Sequence, residues 1–285
     1  MSSLFALLSA AFFAGNALCV RLGLRGSTAT TATIISVVTN ITALWVFSAA
    51  SGVLAAITVR AALLFLVAGM FAPALARLTY YESINLIGVA RASTISNTTP
   101  IFAAILAVPV LGEQLTWRLA AGTVLVVVGV GLTVRPQDRG QTSRPWAGIL
   151  LALNTAVMAS ISFLLRKIGL GMLPHPVVAS ALTVTGSLIT LVPYVVLRRR
   201  REPLRADRGS LTYLIAGGLL TTGGFLSYFA ALNLGDVVRV TPLSNTTPLL
   251  ALGLLYLFRQ IETVAPATVA GAVLAVAGVL LVVSG

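Results

Sequence analysis

One five-residue sequence, Ser-Asn-Thr-Thr-Pro, occurs twice in the chain, at positions 96–100 and 244–248, each time inside an otherwise apolar stretch. The match extends over 80–100 and 228–248 at a constant offset of 148 residues, and an arginine precedes each serine by five positions. A polar pentapeptide that recurs in registered apolar surroundings indicates an internal duplication. We therefore expect the two halves of the chain to fold in the same way.

Composition indicates the solvent in which these halves fold. The 285 residues are 58% hydrophobic and only 9% charged, too few polar groups to cover a soluble domain. The stretch 119–134 has no charged residue, whereas 198–201 is a run of arginines, a pattern typical of membrane helices joined by short polar loops. The net charge of +12 is therefore expected to meet anionic lipid headgroups and not nucleic acid. Cys19 is the single cysteine, which excludes an intramolecular disulfide and a cysteine metal cluster.

Ten hydrophobic stretches of roughly 20 residues are long enough to cross a bilayer. They lie at about 4–22, 30–50, 61–82, 88–111, 115–134, 147–168, 176–197, 210–232, 237–258 and 264–284. A polar linker at 135–145 separates a first five-helix repeat, 1–134, from a second, 146–285. Because an odd number of spans reverses the direction of entry, the sequence predicts an all-α integral membrane protein with ten transmembrane helices as two inverted five-helix repeats.

The basic residues of the loops predict the orientation in the cell membrane. With both termini outside, most basic residues of the loops lie on the cytoplasmic side, and the outer side holds only four. The cytoplasmic loops would hold Arg21, Arg25, Arg135, Arg139, Arg144, the arginines at 198–201, Arg205 and Arg208. The outer side would hold Arg60, Arg118, Arg166 and Lys167. Because cytoplasmic loops are enriched in arginine and lysine, this distribution favours extracytoplasmic termini.

The repeated pentapeptide predicts two interrupted helices. Pro100 has no backbone N–H, so the carbonyl of Ser96 loses its helical donor, and Pro248 does the same to Ser244. In hydrocarbon such a loss is costly unless serine, threonine, asparagine or water replaces the bond. Two helix breaks at corresponding positions of inverted halves point to a transport site near the middle of the membrane.

Helical spacing places the arginines of the repeat on a polar face. Arg91, Thr94 and Thr98 share one face of their helix, and Arg239 and Thr246 repeat two of these positions. A guanidinium is a forked donor that matches a carboxylate or a phosphate. The functional hypothesis is a substrate with an anionic group, held by Arg91 or Arg239 in alternate states of access.

Structural roles are open for the same residues. Arg91 and Arg239 are also placed to reach the headgroups or to pair with Glu82 and Asp236. These two acids are candidates for proton coupling, with interfacial ion pairs as the alternative.

The amides and the other repeated polar residues have structural alternatives as well. Asn97 and Asn245 lie off the arginine face and are suited to hydrogen bonds between helices or to ligand contact. Glu113 and Glu262 open the fifth and tenth helices, where a carboxylate meets the positive end of the helix dipole. Tyr228, repeated in the first half, is either a wall of the cavity or, as we favour, an aromatic of the interface belt.

The two halves also share a late segment in which a glutamate is followed by two spaced glycines. Its residues are Gly112, Glu113, Gly122 and Gly129 in the first half and Glu262, Gly271 and Gly278 in the second. With the paired five-span halves, these residues carry a resemblance to the EamA-type transporters of the drug/metabolite transporter superfamily. The resemblance implies export or import of small metabolites by alternating access around a central cavity. The second half departs from the family's Gly-Glu pair in retaining only the glutamate, and the family is generally pictured with cytoplasmic termini.

The sequence and the resemblance together predict a secondary transporter of a small polar metabolite, an amino acid or a related compound, with export as the favoured direction. Transport or flipping of amphiphilic drugs or lipid-linked sugars is the alternative, and a non-transporting membrane scaffold is a further one. No nucleotide-binding loop, histidine set or Ser/His/Asp arrangement is present, so we expect neither an enzyme nor a cofactor. The expected partners are the small-molecule substrate and membrane lipids. Monomer and dimer are both open, as are the coupling ion and the substrate's identity.

Overall fold

The computed structural model describes residues 1–52, 54, 57–133, 145–199, 205–257 and 266–284. Regular structure in these residues is helical, apart from one isolated bridge between Ser27 and Ala206. Most of the predicted linker and Glu262 lie outside the described residues. The part of the chain that the structure describes is therefore an all-α protein.

Twelve helices are formed by the described residues. They are α1 (Ser2–Gly23), α2 (Ala29–Ala50), α3 (Val59–Gly69), α4 (Ala76–Ser96), α5 (Thr99–Leu111), α6 (Trp117–Thr133), α7 (Pro145–Met172), α8 (Pro176–Arg199), α9 (Arg208–Leu234), α10 (Val237–Ser244), α11 (Thr247–Leu257) and α12 (Pro266–Ser284). A π-helical turn, Met70–Leu75, joins α3 to α4. Side chains of Thr28, Thr58 and Asp207 accept hydrogen bonds from the first turns of α2, α3 and α9, and so begin these helices.

Among the residues that the structure describes, six helical segments are long and apolar enough to cross a membrane. They are Ser2–Gly23, Val59–Tyr80, Thr94–Leu111, Trp146–Met172, Pro176–Tyr194 and Arg208–Leu234. Large apolar side chains such as Ile105, Ile189 and Leu280 are exposed, whereas polar ones such as Asn40 and Thr183 are buried. Apolar groups outside and polar groups inside are what lipid as a solvent requires, because a buried polar group finds partners that hydrocarbon does not offer. The chain is a multi-pass membrane protein.

The helices of the two halves pack in a reciprocal pattern. Helix α1 packs against α9, α10 and α11, and α7 packs in the same way against α3, α4 and α5. Helix α2 packs against α8, and α6 packs along α12. The first helix of each half thus contacts the third and fourth predicted spans of the other half.

Small residues permit the close approach of α6 and α12. A Cβ atom added to Gly122 would lie 2.8 Å from the carbonyl oxygen of Gly278, and one added to Gly129 would lie 2.4 Å from the amide nitrogen of Ala275. The backbones of the two helices are therefore in direct contact, which small residues permit in a membrane.

The sequence predicts a break between 82 and 88, but α4 is continuous from Ala76 to Ser96. Its contacts nevertheless show that its path turns back. The Thr79 hydroxyl is 2.8 Å from that of Thr155, and the Ser96 hydroxyl donates to the carbonyl of Ala152 at 3.4 Å. Seventeen residues of straight helix would separate Thr79 from Ser96 by roughly 25 Å, yet their partners are less than one turn apart on α7.

The corresponding turn of the second half is a true break. There α9 ends at Leu234, Gly235 is extended, and Asp236 occupies the N-cap position of α10. The repeat places Ile87 and Gly88 at these positions in the first half. Neither has a side-chain oxygen that could accept from the first turn of a new helix, as Asp, Asn, Ser or Thr has.

Candidate functional site

A cavity of about 220 Å³, here called the central cavity, lies between the two halves of the chain. Residues from α1, the π-helical turn, α7, α9 and α10 line it. Those that matter for its chemistry are Phe13, Phe163, Arg166, Phe225, Tyr228 and Ser244. A concave site with apolar walls and a few convergent polar groups is the usual form of a small-molecule site.

Arg166 provides the charge of this cavity. It lies on α7, is 3% exposed, and donates from Nη2 to the carbonyl of Ala72. Ala72 has φ −144° and ψ 132° inside the π-helical turn, so its carbonyl points out of the helical ladder. The Ser162 hydroxyl, which donates to the Ala68 carbonyl at 2.8 Å, is also 3.1 Å from this oxygen. The break in the third predicted span thus creates an acceptor that holds one edge of the guanidinium.

Aromatic rings surround the guanidinium. Its central carbon is 5.4 Å from the ring centroid of Phe229, 5.6 Å from that of Phe163, 5.8 Å from that of Phe225 and 5.9 Å from that of Tyr228. A cation within about 6 Å of a ring centroid is attracted by the negative face of the ring. The rings therefore stabilise the positive charge without neutralising it.

Three polar atoms around the cavity have no hydrogen-bond partner among the residues that the structure describes. They are Nε of Arg166, the hydroxyl of Tyr228 and Oγ of Ser244, and all three are buried. The Tyr228 hydroxyl is near Thr241, whose own hydrogen goes to the Val237 carbonyl at 2.6 Å, so Thr241 does not donate to it. Buried polar atoms are usually paired, and an unpaired set around one cavity is the signature of a site for a polar ligand.

The threonines of the repeated pentapeptide satisfy the helix breaks. Thr99 donates to the carbonyl of Ser96 at 2.7 Å, and Thr247 donates to that of Ser244 at 2.9 Å. These are the two carbonyls that the prolines deprive of a donor, so each break is closed by the residue just before its proline. Helices α5 and α11 begin at these threonines, with Pro100 and Pro248 in the second position.

The predicted site threonines contact their own backbone. Thr98 donates to the carbonyl of Ile95 at 2.6 Å, and Thr246 donates to that of Leu243 at 2.7 Å. Thr94 is exposed, and its methyl group lies 3.3 Å from a Cβ built on Gly131, so it faces α6. None of these three side chains is on the lining of the central cavity.

The predicted asparagines meet each other. Nδ2 of Asn245 donates to the backbone carbonyl of Asn97 at 3.1 Å and is 3.4 Å from its side-chain oxygen. Asn245 also lines the cavity, whereas Asn97 does not. Equivalent residues of the two halves therefore touch where both helices are interrupted.

Of the charged residues predicted from the repeat, those with described side chains do not line the cavity. Arg239 is half-buried and its amide donates to the Asp236 carbonyl at 3.2 Å. Asp236 and Glu82 are exposed. Arg91 belongs to α4, and its side chain lies outside the described part. The structure thus brings together Asn97 and Asn245 but places neither Arg239 nor the two acids at the cavity.

Glu113 has a different role from the predicted one. Its carboxylate accepts from the amides of Val237 at 2.8 Å and Val238 at 2.9 Å, and so caps α10 of the other half. The start of α6 is capped by Thr116 instead. The reason is Gly112, whose φ of 67° ends α5 in a left-handed turn and directs Glu113 away from α6. Burial raises the pKa of Glu113, while the two amide hydrogen bonds act in the opposite direction.

The count of Arg166 with the outer side was wrong, because this residue is buried within α7, which continues to Met172. Lys167 donates to the carbonyls of Leu232 at 2.8 Å and Gly235 at 2.7 Å, and so caps the end of α9. The apolar residues that follow Lys167 were a signal that the span extends further. The interface belt favoured for Tyr228 was also wrong, since that residue is 4% exposed inside the cavity.

Comparison with known proteins agrees with this architecture. The model of a family described as the EamA-like transporter family matches residues 1–135 and 146–284. A solved structure titled "Crystal structure of protein" is similar with a TM-score of 0.82 at 16% identity, covering 98% of this chain and 94% of that one. At that identity the likeness concerns the fold alone. No curated protein matches the chain.

Proposed function

Because the chain belongs to the EamA-like transporter family, and is therefore a membrane transporter of the drug/metabolite superfamily, we propose that it is a secondary transporter of small carboxylate metabolites, amino acids or related compounds. The observation that carries this proposal is the buried Arg166 on the lining of the central cavity. Its Nε has no hydrogen-bond partner among the described residues. Alternating access would expose the cavity to each side of the membrane in turn, with export as the favoured direction.

The energetics of Arg166 support a functional role. An arginine within a membrane helix costs up to about 2.5–3.5 kcal/mol on insertion scales, the value at the helix centre. One carbonyl and several rings occupy only part of its hydrogen-bonding capacity. A carboxylate matches the remaining donors of a guanidinium in charge and in shape.

We extend the proposal to ten crossings in two inverted repeats, 1–134 and 146–285, with 135–145 as the linker. The reciprocal packing of α1 and α7 supports it, and so does the returning path of α4. Ser2 lies against Gly235, and Gly122, near the start of α6, lies against Val282, near the end of α12. Both termini are therefore at one end of the molecule, as an even number of crossings requires.

A binding experiment tests the proposal. The purified protein is heated in detergent with amino acids, related carboxylates, sugars, nucleotides, lipids and organic cations, and its apparent Tm is followed. A ligand at 100 times its Kd stabilises the folded state by about 2.7 kcal/mol, so a carboxylate substrate raises Tm. We expect Arg166→Gln to abolish this shift and Arg166→Lys to weaken it.

Arg118→Gln is the matched control, since Arg118 is an exposed cation at the start of α6. A carboxylate shift that survives in Arg166→Gln contradicts the proposed site. If it is lost in the Arg91→Ala, Arg239→Ala double variant instead, the anion site belongs to the repeated arginines.

Proton coupling by Glu82 or Asp236 stays a prediction, to be tested by the pH dependence of transport in Glu82→Gln and Asp236→Asn.

An apolar groove favours the alternative of an amphiphilic substrate. It has a volume of about 330 Å³ and lies between α5 and α6, where Ile101, Ile105 and Val124 line it. Such a groove accommodates an acyl chain but offers no anion site. Stabilisation by lipids or hydrophobic cations alone would support this alternative.

A further inference from the structure

We propose that the central cavity selects carboxylates that lack an ammonium group, such as 2-oxo and 2-hydroxy acids with apolar side chains, over the zwitterionic amino acids. This inference rests on the proposed function and assigns the chemical class of its substrate. It is carried by the balance of charges and of hydrogen-bond donors around the cavity.

The first step is the charge of the lining. Arg166 is its one charged member among the described residues, and no aspartate or glutamate belongs to it. The nearby Glu113 is 9% exposed, and both of its oxygens accept amides of α10. The cavity therefore complements a charge of minus one. The ammonium group of an amino acid would be buried there beside a guanidinium, and no acidic side chain of the described lining would pair with it. A buried charge without a partner is strongly disfavoured.

The second step is the balance of donors and acceptors. The Ala72 carbonyl already accepts from Arg166, and Nδ2 of Asn245 already donates to Asn97. The buried side-chain atoms of the described lining that are left without a partner are Nε of Arg166, which only donates, and the hydroxyls of Tyr228 and Ser244, which both donate and accept. Oxygen acceptors of a ligand pair with all three groups, whereas the N–H groups of an ammonium pair only with the two hydroxyls.

The third step is the shape of the remaining wall. Phe13, Phe163 and Phe225 provide apolar faces on the side of the cavity, and Pro73 and Ala159 complete them. An apolar side chain of a small acid packs against these rings, where it gains from burial in proportion to its area. A second carboxylate would find no second cation among the described lining residues, so dicarboxylates are disfavoured.

Matched ligand pairs test the inference. Phenylpyruvate and 3-phenyllactate are compared with phenylalanine, and 2-oxoisocaproate is compared with leucine, by the concentration dependence of the apparent Tm. We expect each oxo or hydroxy acid to bind about tenfold or more tightly than its amino acid. Succinate is expected to bind more weakly than the monocarboxylates.

A specificity switch provides a readout that a purely structural role would not move. Ser244→Asp places a carboxylate at the cavity, so we expect it to reverse the preference toward the amino acid of each pair. Ser244→Asn, which is of similar size to the aspartate and uncharged, is the control for the added charge and should not reverse the preference. This test does not require a variant of Arg166 to fold.

The outcomes separate this inference from the proposed function. Amino acids that bind as tightly as their oxo acids, in a manner that depends on Arg166, overturn the inference and leave the proposed function standing. If no carboxylate binds in a manner that depends on Arg166, both are overturned. A preference for the oxo acid that Ser244→Asp fails to reverse also contradicts the inference.

Discussion

Glu113 illustrates how one residue joins the two halves of the molecule. Its carboxylate ends beside the first turn of α10, where the amides of Val237 and Val238 have no acceptor within their own helix. Val237 and Val238 are themselves buried, so water does not replace the carboxylate. Asp236 occupies the N-cap position but makes no capping bond with its side chain. The stability of α10 therefore depends on a residue from the other repeat.

We predict that Glu113→Ala destabilises the protein by about 1–3 kcal/mol, because a buried donor left without its acceptor costs that much. The measurement is chemical or thermal unfolding in detergent. Asp236→Ala is the matched control at the same helix end, and we expect a change within about 0.5 kcal/mol. Equal effects of the two substitutions would show that the carboxylate bonds do not stabilise α10.

Small residues along α6 and α12 allow these two helices to pack closely. Gly129 leaves so little space that an added Cβ would lie 2.4 Å from one backbone atom of α12 and 2.6 Å from another. Gly253 on α11 is also a helical glycine, yet an added Cβ there meets nothing within 4 Å. The same residue type is thus required at one position and not at the other.

We predict that Gly129→Ala lowers stability by about 1–3 kcal/mol, since the helices must move apart to accommodate the methyl group. Gly253→Ala should be neutral or stabilising by roughly 0.5–1 kcal/mol, because alanine loses less entropy in a helix. Apparent Tm values of the two variants compare them directly. A neutral Gly129→Ala would contradict the close contact of α6 and α12.

The orientation of the whole molecule in the membrane depends on the basic residues at its two ends. With Arg166 buried, the end that holds the termini keeps Arg60, Arg118 and the half-buried Lys167 of the four basic residues assigned to it. The imbalance between the two ends is therefore larger than the sequence predicted, which favours extracytoplasmic termini more strongly.

Labelling of single cysteines in intact cells tests this orientation. In a Cys19→Ser background, we expect His175→Cys, in the loop after α7, to react with a membrane-impermeant maleimide. Leu24→Cys, at the opposite end, should react only after permeabilisation. The reverse pattern would place both termini in the cytoplasm. Labelling of denatured protein controls for expression and thiol reactivity.

The features that the sequence determined are those that depend on local chemistry. Hydrophobicity alone identifies a membrane protein, and the duplicated pentapeptide marks the places where α4 and α10 end. A missing amide at proline has the same consequence in any helix, so no knowledge of neighbours is needed. The resemblance to the EamA-type transporters is confirmed by the family match.

Only the tertiary structure decided which polar residues form the site. Arg166 bonds a carbonyl 94 residues away, and Glu113 bonds amides 124 and 125 residues away. Their partners are backbone groups, which carry no sequence signal of their own. A repeated arginine such as Arg239 is conspicuous in the sequence, whereas Arg166 has no repeat partner to mark it. Its position became evident only when the break at Ala72 and the rings of α9 were brought together around it, because burial and charge pairing are properties of the packed bundle.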